Sequence, residues 1–366
     1  MDTSFEYVFP AIKGVQARRE YYISMCPLRL IPKLFIFNEE ELPPELRAQR
    51  TLNKNRLPEM ARYILDNREN YTFSAITASI DADVKFISTD TNGDGKRMGR
   101  LRIPMTARFI LNDGQHRRAA IEMALRENPE IADESIAVVF FLDRGLDRCQ
   151  QMFADLNRHN IRPSKSIGVL YDHRERMAEI ARLVVLKSPI FRDVVEMERS
   201  NLSLRSRKLF TLSAIYAATK ALLASKAQGL SADADEIAVS FWEEVAKEFD
   251  DWQAVRDQRL MASEVRTNFI HSHGVALQAI GRVGQHLMMD HKRAWKRKLK
   301  TLRDLDWSRG NARLWEGRAM IGGRISKAES NVILTTNALK NHLNLPLTPE
   351  EHRLEEALLR GSNGIG

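Results

Sequence analysis

The 366 residues include 56 Lys and Arg against 48 Asp and Glu, which gives a formal net charge of +8. Two cysteines, Cys26 and Cys149, are too few for a disulfide framework or a cysteine-rich zinc site. No apolar run approaches the ~18 residues of a transmembrane helix, and the partly acidic first residues predict no signal peptide. We therefore expect a cytoplasmic protein of two domains, with Cys149 packed inside, and the positive charge indicates a polyanionic partner.

The first 143 residues combine strand-like and helix-like patterns. Apolar residues recur at helical spacing in residues 56–67, and residues 115–126 also fit a helix. Strands are predicted at residues 73–80, 85–89, 100–105, 108–111 and 136–142. This mixture predicts an α+β domain over residues 1–165.

From about residue 145 onward the apolar spacing is helical. Helices are predicted at residues 146–157, 167–187, 209–225, 234–249 and 264–289. Thr348 and Glu351 enclose Pro349 in the pattern of a capping box, which predicts the start of a further helix. We therefore predict a mostly helical domain over residues 166–366.

The positive charge is concentrated in residues 285–327, which hold 12 Lys and Arg against 4 Asp and Glu. This surplus of +8 equals that of the whole chain. If helical, residues 291–303 present a stripe of cations suited to the phosphates of double-stranded DNA. Trp295, Trp307 and Trp315 lie among the cations and are candidates to stack on exposed bases. The alternative is a solvated basic face with the tryptophans in the core. The predicted DNA-binding residues are Lys292, Arg293, Lys296, Arg297, Lys298, Lys300 and Arg303. A second cluster, Arg199, Arg205, Arg207 and Lys208, is a candidate extension of this surface.

The sequence Phe109–Ala120 predicts an apolar strand, a glycine turn and a helix that opens with polar and basic residues. Free amides at a helix start favour an anion, and arginine side chains bind phosphate through two parallel hydrogen bonds. The predicted phosphate-binding residues are Gly114, Gln115, Arg117 and Arg118; the alternative is an ordinary strand–helix turn with surface arginines. Asp113 and His116 on the same turn are candidate catalytic residues, which together polarise a water molecule. One carboxylate is too few to predict a metal site.

A second polar and basic stretch, residues 155–164, follows a predicted helix. Its Asn157 and Arg158 are candidates for hydrogen bonds to a nucleotide, whereas the alternative is a plain helix–helix turn. Ser164 is expected to cap the next helix.

Asp113-Gly114-Gln115-His116-Arg117 is the DGQHR sequence, and the chain resembles the DndB family of DGQHR-domain proteins, associated with DNA phosphorothioate (sulfur) modification. Further likeness lies in residues 9–16, in residues 47–50 and in the Trp- and Arg-rich C-terminal segment. More remotely, the turn resembles the Gly-Glu-Arg-Arg and Gly-Cys-His-Arg turns of the ParB/sulfiredoxin superfamily, which hold nucleotide phosphates. The Gln49-Arg50 pair resembles the Gln-Pro-Arg box of ParB proteins, and residues 155–163 resemble their Glu-Asn-x-x-Arg stretch with altered spacing. This likeness adds Arg50 to the nucleotide-binding residues and implies a ParB/sulfiredoxin-like first domain.

The resemblance implies a DNA-binding regulatory protein that controls transcription of the modification genes. ATP or another NTP at the DGQHR turn is the expected ligand, with the need for magnesium open, and it would act as a switch if it favours one DNA-binding state. Double-stranded DNA and other proteins of the phosphorothioation system are the expected partners. The alternative is an enzyme, a DNA-dependent NTPase or a ParB-like nuclease.

Overall fold

The computed structural model describes residues 5–35, 54–144, 148–158, 163–224, 230–290 and 294–362. The chain divides into two compact units, residues 1–161 and 162–366. Helices combined with a mixed seven-stranded sheet confirm the predicted α+β class.

The first unit is built on the seven-stranded sheet, with strand order β4-β5-β1-β2-β7-β3-β6. All neighbouring strands are antiparallel except β3 and β7. The strands are β1 (Glu6–Gln16), β2 (Arg19–Pro27), β3 (Ile76–Asp81), β4 (Lys85–Ser88), β5 (Met98–Pro104), β6 (Arg108–Asp113) and β7 (Ser135–Leu142). The helices are α1 (Ile31–Leu34), α2 (Leu57–Asp66), α3 (Gln115–Glu127) and α4 (Cys149–Arg158).

Alternation along the strands gives the sheet one face for the core of this unit. Phe9 of β1 is buried, whereas the adjacent Val8 is exposed on the opposite face. Helices α2 and α3 contribute Ile64 and Ile121 to the same core cluster as Phe9. Strand β6 is therefore held by packing, and its end leads directly into α3.

The second unit is mostly helical, with one large apolar core that includes Trp242, Trp252 and Trp315. Two short strand pairs, β8 (Val195–Glu196) with β9 (Phe210–Thr211) and β10 (Met320–Ile321) with β11 (Arg324–Ile325), connect its helices. The helices are α5 (Lys165–Tyr171), α6 (Arg176–Lys187), α7 (Phe191–Val194), α8 (Leu212–Leu222), α9 (Ala234–Ala246), α10 (Asp250–Arg256), α11 (Ala262–Asn268), α12 (Gly274–Asp290), α13 (Trp295–Leu299), α14 (Ala312–Trp315), α15 (Glu329–His342) and α16 (Pro349–Ser362).

Two long helices predicted from the sequence are each broken in the structure. After α5 the chain turns because the Asp172 carboxylate accepts the backbone amides of Arg174 and Glu175, at 2.9 and 3.0 Å. Between α11 and α12 the amide of Ile270 donates to the carbonyl of Trp307 at 2.8 Å. Both contacts replace helix hydrogen bonds and interrupt the helix. The helical spacing of apolar residues continues across each interruption, so the sequence pattern does not show it.

The capping box at the start of α16 is confirmed. The Thr348 amide donates to the Glu351 carboxylate at 2.7 Å, and the Glu351 amide donates to the Thr348 hydroxyl at 3.3 Å. The two residues thus satisfy each other's backbone donors, as the sequence pattern requires.

Candidate functional site

The turn between β6 and α3 has the strand–glycine–helix geometry predicted from the sequence. Gly114 has a φ of 106°, a left-handed conformation that only glycine adopts readily. A Cβ atom at this position would lie 3.0 Å from Cγ1 of Ile76. The first turn of α3 has no side-chain cap, and the start of a helix favours an anion.

The side chains of the turn are largely engaged within the fold. The Nη2 of Arg117 donates to the Asp113 carboxylate at 2.7 Å and to the Ala75 carbonyl at 3.2 Å. The Nε of Arg118 donates to the Phe35 carbonyl at 2.9 Å. Arg118 also forms an ion pair with Glu122, 2.6 Å away, and its side chain is only 13% exposed.

Gln115 is buried, and its Nε2 donates to the Leu111 carbonyl at 3.1 Å. The structure therefore gives Gln115, Arg117 and Arg118 roles in holding β6, α3 and neighbouring backbone together. Their contacts to a phosphate stay predictions.

Three groups bear on the chemistry of the turn: the imidazole of His116, the Nε of Arg117 and the charge of Arg56. Burial lowers the pKa of His116, and the charges of Arg56 and Arg117 lower it further against the opposing charge of Asp113. The imidazole is thus neutral near pH 7 and able to accept a proton. The buried Nε of Arg117 has no hydrogen-bond partner among the described residues. Arg56 was missed in the sequence because only the fold brings the start of α2 near this turn.

The other predicted nucleotide contacts are less defined. Arg50 lies outside the described residues, as do the side chains of Asn157 and Arg158 at the end of α4. Ser164 does cap α5, because its hydroxyl accepts the Ile167 amide at 3.1 Å. The cap prediction is confirmed, and the nucleotide contacts stay predictions.

The stripe of cations in residues 291–303 is predicted on the condition that the segment is helical, and the structure has only a short helix in its described part. Lys292 and Arg293 lie outside the described residues, α13 covers Trp295–Leu299, and a 3₁₀ turn spans Lys300–Asp304. The condition on which the stripe depends, one helix over residues 291–303, is therefore not met in the described part of the segment.

Acidic side chains neutralise part of this segment. The Nζ of Lys296 lies 3.2 Å from the Glu244 carboxylate. The Nε of Arg303 donates at 2.8 Å to Glu248, whose side chain is only 3% exposed. Sequence reasoning missed this pairing, because Glu244 and Glu248 lie about fifty residues earlier in the chain.

The other described cations of residues 291–303 differ in whether they have a partner within the fold. The Nζ of Lys298 donates to the Leu343 carbonyl at 3.1 Å. Arg297 and Lys300 are exposed, and neither forms an ion pair within the described part of the chain. These two cations are therefore the ones most accessible to an external anion.

The prediction that Trp307 and Trp315 stack on bases is wrong. Both are buried, and their rings stack on each other with centroids 5.3 Å apart. Their indole N–H groups donate to the carbonyls of Leu302 and Asp306, at 2.8 and 2.9 Å. Trp295 is half-buried. The alternative stated from the sequence, tryptophans in the core, holds for the first two.

Other site chemistry is limited. Cys26 and Cys149 are buried free thiols, which confirms the packing predicted for Cys149. In the described ranges, no group of three His, Cys, Asp or Glu side chains could hold a metal ion. No helix in those ranges is both long and apolar enough to cross a bilayer.

A family model described as DndB, DNA-sulfur modification-associated, matches residues 9–346. Comparisons with curated proteins and with solved structures gave no match. The match includes both the turn between β6 and α3 (the Gly114 turn) and residues 285–327 (the basic segment).

Proposed function

Because the chain belongs to the DndB family of DNA-sulfur modification-associated proteins, we propose that it is a DNA-binding regulator of that modification system. In this proposal it binds double-stranded DNA upstream of the modification genes and controls their transcription. The family membership implies a role in DNA sulfur modification.

The observation that carries the proposal is the pair of exposed cations Arg297 and Lys300, which lack ion pairs among the described residues. They lie in the segment that holds the whole positive surplus of the chain. Lysine and arginine side chains without acidic partners bind DNA phosphates with release of counterions. Lys296 and Arg303 would first have to leave Glu244 and Glu248, so they contribute less.

The test is fluorescence anisotropy of a labelled duplex from upstream of the modification genes, measured at several salt concentrations. If about six phosphates are neutralised, log affinity falls against log salt with a slope near −5. The double variant Arg297→Gln, Lys300→Gln is expected to reduce that slope to about −3.5.

The matched control replaces Lys187 and Arg192 with Gln, since both are exposed cations of the same unit. This control should keep the wild-type slope. Equal slopes for the two double variants would remove the basic segment from the interface, and equal affinity for unrelated DNA would remove the regulatory role.

A second proposal concerns the Gly114 turn, at which ATP or another NTP binds and switches DNA affinity. The uncapped first turn of α3 and the unpartnered Nε of Arg117 support it. The neutral imidazole of His116 supports the further alternative that the NTP is hydrolysed, with His116 as the general base.

Calorimetric titration with each NTP tests binding at the turn, and phosphate release with and without DNA tests hydrolysis. His116→Gln keeps a side chain of similar size and removes the base, so it should abolish hydrolysis and leave binding nearly unchanged. Absence of NTP binding by the wild type would end the switch proposal. Binding without phosphate release would end the enzymatic alternative alone.

A further inference from the structure

A cavity of about 340 Å³ lies in the second unit, beside the start of α12. Its walls come from residues 200–204, from β9 with the first turn of α8, and from the junction between α11 and α12. Arg309 and Lys327 complete it from the C-terminal part of the chain. The size is in the range of small-ligand sites.

The charges around this cavity are of one sign. Arg266, Arg309 and Lys327 line it, and none of the described residues that line it is an Asp or Glu. No ion pair within the described ranges involves any of the three. Surface cations usually have acidic neighbours, so three cations without one leave a positive potential in the cavity.

The two arginines are fixed in place by the fold. Arg266 donates to the carbonyls of Ser203 and Ser206, at 2.7 and 3.2 Å, and also to that of Lys208. Arg309 donates to the carbonyls of Thr267 and Gly323, at 3.1 and 2.8 Å. Carbonyls do not cancel a guanidinium charge, so these bonds hold both charges at the cavity wall. A preorganised charge needs little reordering when an anion binds.

Lys327 adds a separate indication. Its Cε would lie 4.0 Å from a Cβ built on Gly274, the first residue of α12. The start of a helix carries partial positive charge, so this helix start and the Lys327 ammonium together favour an anion between them. Burial, together with the charges of Arg309 and Lys327, lowers the pKa of the adjacent His273 to about 4. This imidazole therefore stays neutral and adds no competing charge at pH 7.

We propose that this cavity is a binding site for a phosphate group, carried by a free nucleotide or by a nucleic-acid strand. Lys327 and Arg309 contact the phosphate oxygens, and the exposed hydroxyl of Thr267 donates a further hydrogen bond. The apolar side chains of Leu202 and Leu204, which also line the cavity, border the remainder of the ligand. Arg309 and Lys327 lie within residues 285–327, but none of the cations of residues 292–303 that are assigned to DNA lines the cavity, and no residue of the Gly114 turn does. The two sites can therefore be tested separately.

The test uses the full chain and isothermal titration calorimetry with inorganic phosphate, with ATP and with a DNA duplex. Lys327→Gln replaces an exposed side chain and removes one charge-assisted hydrogen bond to the phosphate. The affinity for the probe is expected to fall about tenfold. Lys187→Gln, an equal charge change at an exposed site of the same unit, is expected to leave binding unchanged. Arg309→Gln should weaken binding in the same way, with folding checked by circular dichroism.

The three probes distinguish the sources of the phosphate. Tight ATP binding that depends on Lys327 and not on His116 assigns a free nucleotide. DNA affinity that depends on Lys327, without competition from ATP, assigns a strand phosphate. The proposed site is wrong if the wild type binds none of the three probes saturably. It is also wrong if Lys327→Gln and Lys187→Gln bind the probe equally well.

Discussion

In the Gly114 turn each arginine pairs with an acid and donates to a backbone carbonyl. In the cavity beside α12, three cations line a space that has no acid among its described lining residues. Arg117 and Arg118 of the turn pair with Asp113 and Glu122. Among the described residues, the side chains of Arg266 and Arg309 donate hydrogen bonds only to carbonyls, and Lys327 has no ion pair.

The difference separates two uses of the same side chain. An arginine that bridges an acid and a backbone carbonyl stabilises the fold, and its charge is already neutralised. An arginine held only by carbonyls keeps its charge for an external anion. A conspicuous sequence motif therefore does not by itself indicate where free charge lies, and substitutions in the two places should have different consequences.

The largest expected effect is that of Gly114→Val. The variant forces a β-branched residue into a left-handed conformation and places Cβ 3.0 Å from Ile76 Cγ1. The free energy of unfolding should fall by about 3 kcal/mol. Urea unfolding followed by circular dichroism measures it.

The control is Gly168→Ala, because a Cβ at this position in α5 has no neighbour within 4 Å. In a helix interior this substitution should leave stability unchanged or raise it by about 0.5 kcal/mol. A Gly114→Val protein as stable as that control would show that the turn relaxes, and the structural role assigned to it would be wrong.

The second prediction compares the loss of stability when one cation is replaced in each region, Arg118 at the turn and Lys327 in the cavity. Arg118→Met removes the bond to Phe35 and leaves Glu122 without this partner, so we expect about 2 kcal/mol lower unfolding free energy. Lys327→Met should change it by less than about 0.5 kcal/mol. All five tryptophans lie in the second unit, so Arg118→Met is followed by amide exchange in β6 and α3, and Lys327→Met by tryptophan fluorescence.

Loss of stability in Lys327→Met equal to that in Arg118→Met would contradict the distinction between the two regions. It would mean that Lys327 stabilises the fold through contacts of its own. The phosphate inference would then lose its exposed, unengaged cation.

Sequence reasoning succeeded where a local pattern determines the structure. The apolar run 108–111 followed by Gly114 and helical spacing predicts β6, the turn and α3, and the structure has them at those positions. The capping box at Thr348 is equally local. Each of these depends on residues within a few positions of one another, so no knowledge of the tertiary fold is needed.

Sequence reasoning failed where residues that contact each other are distant in the sequence. Trp307 and Trp315 stand among arginines, and only the fold shows that their rings stack in the core. The acids that pair with the basic segment lie about fifty residues earlier, at Glu244 and Glu248. The cavity was missed for the same reason, because its walls come from five separate places in the chain between residues 200 and 327.

A pH dependence from His273 in the cavity should be smaller than the effects of Gly114→Val and Arg118→Met. Its folded pKa of about 4 lies below the ordinary 6.5, so the unfolded chain binds the proton first. The contribution of the neutral His273 to the free energy of unfolding is therefore present above pH 6.5 and is lost as the pH falls toward 4. Between pH 7 and pH 5 the wild type should lose about 1–2 kcal/mol more than His273→Gln, as measured by urea unfolding with tryptophan fluorescence.

His273→Gln is a suitable reference because the Nε2–H of His273 donates to the Arg266 carbonyl at 2.8 Å, and a Gln amide can donate in the same direction. Adding inorganic phosphate should reduce the difference between the two proteins, because a bound anion offsets the Arg309 and Lys327 charges that help to lower the pKa of His273. A pH dependence that is identical in both proteins would show that His273 is not held neutral. A difference that phosphate leaves unchanged would place the anion away from this imidazole, and the cavity would then resemble the Gly114 turn, with its cations serving the fold.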